Sequence, residues 1–256
     1  MKLDTIIVEK NDPVVTITFN QQGHNNSITR QFLDEMTMMF NIIEKQNDCN
    51  VVILKGTNRF FCTGMDFNEL ISSEKCESAD ILFANKYKDL LKQIMEVPKI
   101  VISEVEGKAI AGGVGFVAAS DIVIADYKAT FSLSEALWGL LPSIVIPFLI
   151  RRIGFHKAYY MTLTTMAINA EEAFKIDLID KLTDNIEIEE QQLVERISKL
   201  TTDSIKRIKE YYRYFFEMSD SILERATKLS SSLFENDEVR ANINNYIKYK
   251  RFPWDK

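Results

Sequence analysis

Three short, largely apolar runs constrain the fold of this chain more than any other feature. Residues 51–54 stop at Gly56, residues 100–105 at Gly107 and residues 122–125 at Asp126, with helical patterns between them. Runs this continuous must be buried on both faces, so they belong inside a sheet covered on both sides and built by strand–helix alternation. The chain therefore reads as α/β. Ahead of these runs, β-rich residues 5–9 and 14–19 flank Asn11, Asp12 and Pro13, predicting an opening hairpin. From Thr29, a suitable N-cap, the apolar residues Phe32, Leu33, Met36, Met39, Phe40 and Ile43 recur at spacings of three and four, predicting an amphipathic helix. Beyond Thr201 strand signals give way to helical segments. Residues 1–200 are read as a core and 201–256 as a helical region. No repeat, low-complexity tract or Gly/Ser linker separates the two.

With 256 residues, of which 46% are hydrophobic, the chain has ample material for one large core. A net charge of -6 argues against a general nucleic-acid binder, which needs a surplus of Lys and Arg. Cys49, Cys62 and Cys76 are an odd count at wide spacing, which builds neither a disulfide framework nor a metal knuckle and fits a reducing, cytoplasmic setting. Two histidines, His24 and His156, leave no material for a His-rich metal centre, so no metal is expected. Asp4 and Glu9 interrupt any N-terminal export core. The longest apolar stretch, residues 137–150, is broken by Gly139, Pro142, Ser143 and Pro147 and falls short of the roughly 20 residues a bilayer span needs, so no membrane contact is expected.

Two glycine-containing segments follow strands and precede helices: RFFCTGMDF (59–67) and EGKAIAGGVGF (106–116). At a helix start the leading amides lack partners and the dipole favours negative charge, so two such amides meeting at one point form an oxyanion hole. Glycines after strands also serve as ordinary turn residues. The stretch from Gly113 to Ala118 matches G-x-G-x-x-A, yet no acidic residue is placed to hold a ribose, since Asp126 and Glu135 come too soon or in the wrong context.

Taken in order, FFCTGMDF, EGKAIAGGVGFVAASDIVIAD and ATFSLSEALWGLLPSIVIPFLIRRIG resemble the crotonase (enoyl-CoA hydratase/isomerase) superfamily. That resemblance implies a ββα spiral with two nearly perpendicular sheets, a C-terminal helical trimerisation region, and a homotrimer, alone or paired into a hexamer. It also implies a thioester substrate whose enolate is held by two backbone amides, here those of Met65 and Gly112. Such donors are commonly worth about 3 to 4 kcal/mol each. Asp66 is placed to cap the helix beginning near Phe67. The family's hydratases pair two glutamates. One falls at Glu135, while the other position, three residues after the oxyanion glycine, is Gly115 in this chain. Glu135 is thus the candidate for moving a proton, with an apolar pocket expected to raise its pKa. Asp66, Gly113 and Gly115 fall within the same motifs as further expected substrate contacts. His24 and Asn25 lie in the loop with which the family lines its pantetheine channel.

The run SLSEALWGLLPSIVIPFLIRRIGFHKAYYMTLT and the ending FPWDK are similar to the dehydrating crotonase homologues of bacterial polyketide β-branching cassettes. These remove water from a 3-hydroxy-3-methylglutaryl group on an acyl carrier protein to give 3-methylglutaconyl. The cofactor implied is none beyond the phosphopantetheine, or coenzyme A, that carries the acyl group. Retention of Glu135 favours dehydration over decarboxylation by a sister enzyme, which needs no base to start. A coenzyme A hydratase or isomerase and a catalytically silent scaffold are the other readings. An acidic carrier protein calls for cations near the tunnel mouth, for which Arg151, Arg152, Lys206, Arg207, Lys209 and Arg213 are candidates. Tyr211, Tyr212, Phe215 and Phe216 read as core or subunit-interface residues.

Overall fold

The computed structural model describes residues 3–21, 23–72, 77–216 and 218–255; Cys76 lies outside them. The hairpin forms as expected from β1 (Ile6–Asn11) and β2 (Val14–Phe19), paired antiparallel. Helix α1 (Arg30–Glu44) starts where Thr29 accepts a hydrogen bond from the Phe32 amide, and all six residues of its predicted apolar face are buried.

The chain then winds in repeating turns, each giving one strand to a large sheet and one to a small sheet. The first turn runs β3 (Val51–Lys55), β4 (Phe60–Cys62), α2 (Phe67–Ser72) and α3 (Glu77–Glu96). The second runs β5 (Ile100–Val105), β6 (Lys108–Ile110) and α4 (Gly112–Ala119). The third runs β7 (Ile122–Asp126) and β8 (Thr130–Ser132), followed by a 3-10 turn over Glu135–Trp138. Then come α5 (Val145–Ile153), α6 (Phe155–Thr164), β9 (Ile168–Asn169), α7 (Ala170–Lys175), β10 (Lys181–Thr183) and α8 (Ile186–Ile197). Three helices close the chain: α9 (Thr202–Phe215), α10 (Asp220–Phe234) and α11 (Asp237–Tyr249).

Strand order is β1-β2-β3-β5-β7-β10 in the large sheet and β4-β6-β8-β9 in the small one. Each sheet is parallel except where β1 meets β2 and β8 meets β9. The strands β4, β6 and β8 supply the second strand of the ββα turns that the family resemblance implies, although local pattern alone shows only strand–loop–helix units. Each is only three residues long, too short for a period-two pattern to register in sequence. The crossing between sheets needs glycine at position 107. Its φ is +89°, and a Cβ there would lie 2.0 Å from the Arg59 carbonyl oxygen.

The continuous apolar runs are explained by burial on both sides of the large sheet. In β3, Val52 and Leu54 join the main core, while Val51 and Ile53 face a second cluster with Ile102, Ile124 and Ile186 at the start of α8. Within the main core, Phe19, Phe32, Phe61 and Phe116 pack ring against ring at 5.0–5.9 Å. Such pairs add about 0.5–1.5 kcal/mol each beyond burial. Of the C-terminal helices, α10 packs on α3 and sends Leu223 and Ala226 into the same core, while α11 covers α2 and the 3-10 turn. Among the described residues no helix is long and apolar enough to cross a membrane.

Candidate active site

The two glycine segments meet. Gly64, with φ +82°, ends the β4 segment so close to the start of α4 that a Cβ on it would lie 2.7 Å from Ala111 Cβ and 3.1 Å from the Gly112 nitrogen. Met65 forms a parallel bridge with Ile28: the Ile28 amide donates to the Gly64 carbonyl (2.7 Å) and the Asp66 amide to the Ile28 carbonyl (3.1 Å). In parallel pairing the residue between those two bonds turns its own N–H away from the partner. On the other segment, Ala111 is held at φ 52°, ψ -122°, its amide donating to the Ser132 carbonyl at 2.8 Å. A non-glycine residue in such a region costs of order 1–3 kcal/mol, and here the strain sets the direction of the next peptide, whose N–H belongs to Gly112. Neither the Met65 nor the Gly112 N–H meets an acceptor among the described residues. Both residues line a cavity of about 490 Å³.

Glu135 lines that cavity from the 3-10 turn, where its carbonyl is fixed by the Leu140 amide at 3.1 Å. Its Oε2 is buried without a hydrogen-bond partner, and burial pushes the carboxyl up to about 8. A proton-transfer group held so near neutrality is suited to taking and returning a proton.

Asp66 serves a different purpose. Its Oδ1 accepts from the Asn68 amide (2.8 Å) and Nδ2 (3.0 Å) at the start of α2, and its Oδ2 accepts from Ser27 Oγ (2.9 Å) and contacts His24 Nδ1 (3.1 Å). Burial alone would raise its pKa, but these hydrogen bonds outweigh it and the net shift is downward. An ionised, fully bonded carboxylate is a structural anchor. His24, Asn25 and Asp66 all line the cavity, and the Asn25 carbonyl ties its loop to Thr63 Oγ1 at 3.0 Å. Gly113 and Gly115 do not line it. A Cβ on Gly113 would lie 2.2 Å from the Cys62 carbonyl oxygen, and one on Gly115 would lie 2.0 Å from Tyr87 Oη. These two glycines are spacers that let α4 sit against its neighbours.

Two cavity residues carry no local sequence signal. Tyr87, on α3, donates from its hydroxyl to the Gly112 carbonyl at 2.5 Å. Trp138, at the end of the 3-10 turn, stands edge-on to Phe67 and Tyr246, with ring centroids 5.1 and 4.9 Å away. Only the packing of α3 and α11 brings these residues in.

The expected carrier-protein cations fare unevenly. Arg151 donates to the Ala118 carbonyl, Arg152 bonds the Leu178 and Ser120 carbonyls and Asp180, and Lys209 bonds the Val97 and Lys99 carbonyls and Asp121. These three are committed inside the fold. Arg213 pairs with Glu96, and Lys206 and Arg207 remain on the surface in helical pairs with Glu210 and Asp203. Tyr211, Tyr212, Phe215 and Phe216 are exposed, which removes the core reading for them. Among the described residues, no group of three or more His, Cys, Asp or Glu side chains could hold a metal ion.

The fold is that of the enoyl-CoA hydratases, and relatives named as dehydratase and hydratase support a hydro-lyase. Residues 9–256 match the enoyl-CoA hydratase/isomerase family, to which this chain belongs. It is 36% identical over 255 residues to the bacillaene synthase dehydratase PksH of Bacillus subtilis, covering 98% of this chain and 96% of the relative. The crystal structure of PksH from Bacillus subtilis superposes with a TM-score of 0.89 at 34% identity, covering 98% of this chain and 100% of that one. A more distant relative, the methylmalonyl-CoA decarboxylase of Escherichia coli, is 24% identical over 94% of this chain and 93% of its own.

Proposed function

We propose that this protein is a hydro-lyase that dehydrates a β-hydroxyacyl thioester, converting 3-hydroxy-3-methylglutaryl to 3-methylglutaconyl on the phosphopantetheine of an acyl carrier protein in polyketide β-branching. The observation that carries this reading is the Glu135 carboxyl, its Oε2 buried without a partner and its pKa held near 8 in the cavity shared with Met65 and Gly112. A decarboxylation needs no such group to begin; an elimination does. Full-length similarity to a dehydratase of bacillaene synthase supports the polyketide setting.

In the proposed reaction the thioester oxygen sits against the Met65 and Gly112 amides. Ionised Glu135 takes the C2 proton, the C–H electron pair moves toward the carbonyl carbon, and negative charge grows on the oxygen that the amides face. The enolate then re-forms the carbonyl, the C2=C3 double bond appears, the C3–O bond breaks, and Glu135 returns its proton to the departing oxygen. Water leaves and the carboxylate is regenerated, so one acid–base group serves both halves. Two buried, unpaired thiols, Cys49 and Cys62, fit a cytoplasmic enzyme, and the exposed aromatic face of α9 fits assembly into a homotrimer.

The test is turnover of carrier-bound and coenzyme A-bound 3-hydroxy-3-methylglutaryl, read by mass spectrometry. Loss of water from the carrier-bound form is expected; loss of carbon dioxide would reassign the enzyme to decarboxylation, and no turnover would leave a scaffold. Glu135→Gln should lower kcat by at least about a hundredfold, within the range one acid–base group contributes, while acyl binding persists. An active Gln variant defeats the assignment.

A further inference from the structure

We infer that Tyr87 is a positioning residue, its phenol clamping the Gly112 carbonyl and so holding in place the residue whose N–H, on the preceding Ala111–Gly112 peptide, is aimed at the thioester oxygen. This deepens the dehydratase reading and rests on it. Tyr87 Oη donates to the Gly112 carbonyl at 2.5 Å, in the first turn of α4. That turn follows the strained Ala111, which supplies no side-chain cap. The hydroxyl is therefore the side-chain group that braces the turn from which the proposed oxyanion donor projects.

The phenol can arrive only because position 115 is glycine; at position 112 a Cβ would collide first with Ile28 Cδ1, at 2.7 Å. A Cβ at position 112 would lie 3.3 Å from Oη, and one at position 115 would lie 2.0 Å from it, a distance no real Cβ occupies. Gly115 is thus more than the loss of a carboxylate: its empty side is filled by a hydroxyl reaching over from α3. The ring is seated edge-on against Phe116, with centroids 5.7 Å apart, and the residue is 7% exposed. Burial, with smaller contributions from Cys62 and Glu135, raises the phenol pKa well above its ordinary value, so the group stays protonated and remains a donor at any working pH. A clamp on one oxyanion donor acts on the charge that develops in the transition state and little on the neutral bound thioester.

The experiment compares wild type, Tyr87→Phe, Gly115→Ala and the double variant on the carrier-bound substrate, with thermal melting of each. Tyr87→Phe keeps the ring packing and removes only the hydroxyl. Its kcat should fall about 30- to 100-fold, somewhat less than loss of a whole oxyanion donor, with KM within about threefold. Its melting temperature should stay within about 4 °C of wild type. Gly115→Ala should show the same kcat loss together with a lower melting temperature, because its methyl displaces the hydroxyl. In the double variant the colliding atom is gone and the next contacts lie at 3.2 Å, so the melting loss should largely recover while kcat stays at the Tyr87→Phe level. Wild-type kcat in Tyr87→Phe, kcat losses that multiply in the double variant, or kcat falling only in proportion to folded protein would each overturn the clamp. Wild type that turns over no thioester would overturn the dehydratase reading itself, so the two failures are distinct.

Discussion

At the scale of single residues, two carboxylates in the same cavity are driven in opposite directions, Asp66 by its hydrogen-bond partners and Glu135 by burial. Asp66 has four hydrogen-bond contacts and is held ionised; Glu135 has a buried, unpartnered oxygen and is pushed to about 8. This fixes two pH dependences. In the proposed reaction Glu135 takes the C2 proton as a carboxylate, so kcat/KM should rise with pH and level off above about 8 in a steady-state profile. For stability the sign reverses. Between the ordinary glutamate value of 4.5 and about 8 the folded protein holds a proton that the unfolded chain has released, so stability falls as pH rises through that window and is flat above it. Glu104, raised to about 8 by burial and by Glu190, contributes in the same direction. Glu135→Gln should remove its part of the slope and melt about 2–4 °C above wild type at pH 8, for a gain on the order of 1 kcal/mol. A lower melting temperature would mean that Glu135 is satisfied in solution.

At the scale of elements, the site depends on a lid made late in the chain. Trp138, Leu140, Phe234, Val239 and Ile243 form a small core of their own between the 3-10 turn, α10 and α11. Gly139, at φ +80°, reverses the chain directly beneath Val239. This cluster sits beside Glu135 and keeps its surroundings apolar. Trp138→Ala should cost about 3–5 kcal/mol in chemical denaturation. It should also admit water, so that the midpoint of the kcat/KM profile moves down toward the ordinary carboxylate value. An unmoved midpoint would show that the lid has no part in raising the pKa.

At the scale of the whole molecule, α9 leaves Ile208, Tyr211, Tyr212, Tyr214 and Phe215 at 50–83% exposure. Apolar surface of this extent on one helix fits the proposed homotrimer interface. Sedimentation should find a trimer, and Tyr211→Glu with Tyr214→Glu should give monomers; an unchanged mass would place the interface elsewhere. Much of the rest was legible in order along the chain. The buried strands, the hairpin, α1 and its Thr29 cap, and the helical tail each follow from periodicities local to a few residues, and the two glycine motifs with Glu135 carry a family pattern. What the sequence could not determine is who stands opposite whom. Three-residue strands are too short to announce themselves, Arg151, Arg152 and Lys209 look like surface cations until buried carbonyls claim them, and Gly115 looks like a vacancy until α3 brings Tyr87 across it. Local pattern records which face of an element is apolar, but contacts between residues far apart in the chain exist only once the elements have packed, and the chemistry of this cavity is made of such contacts.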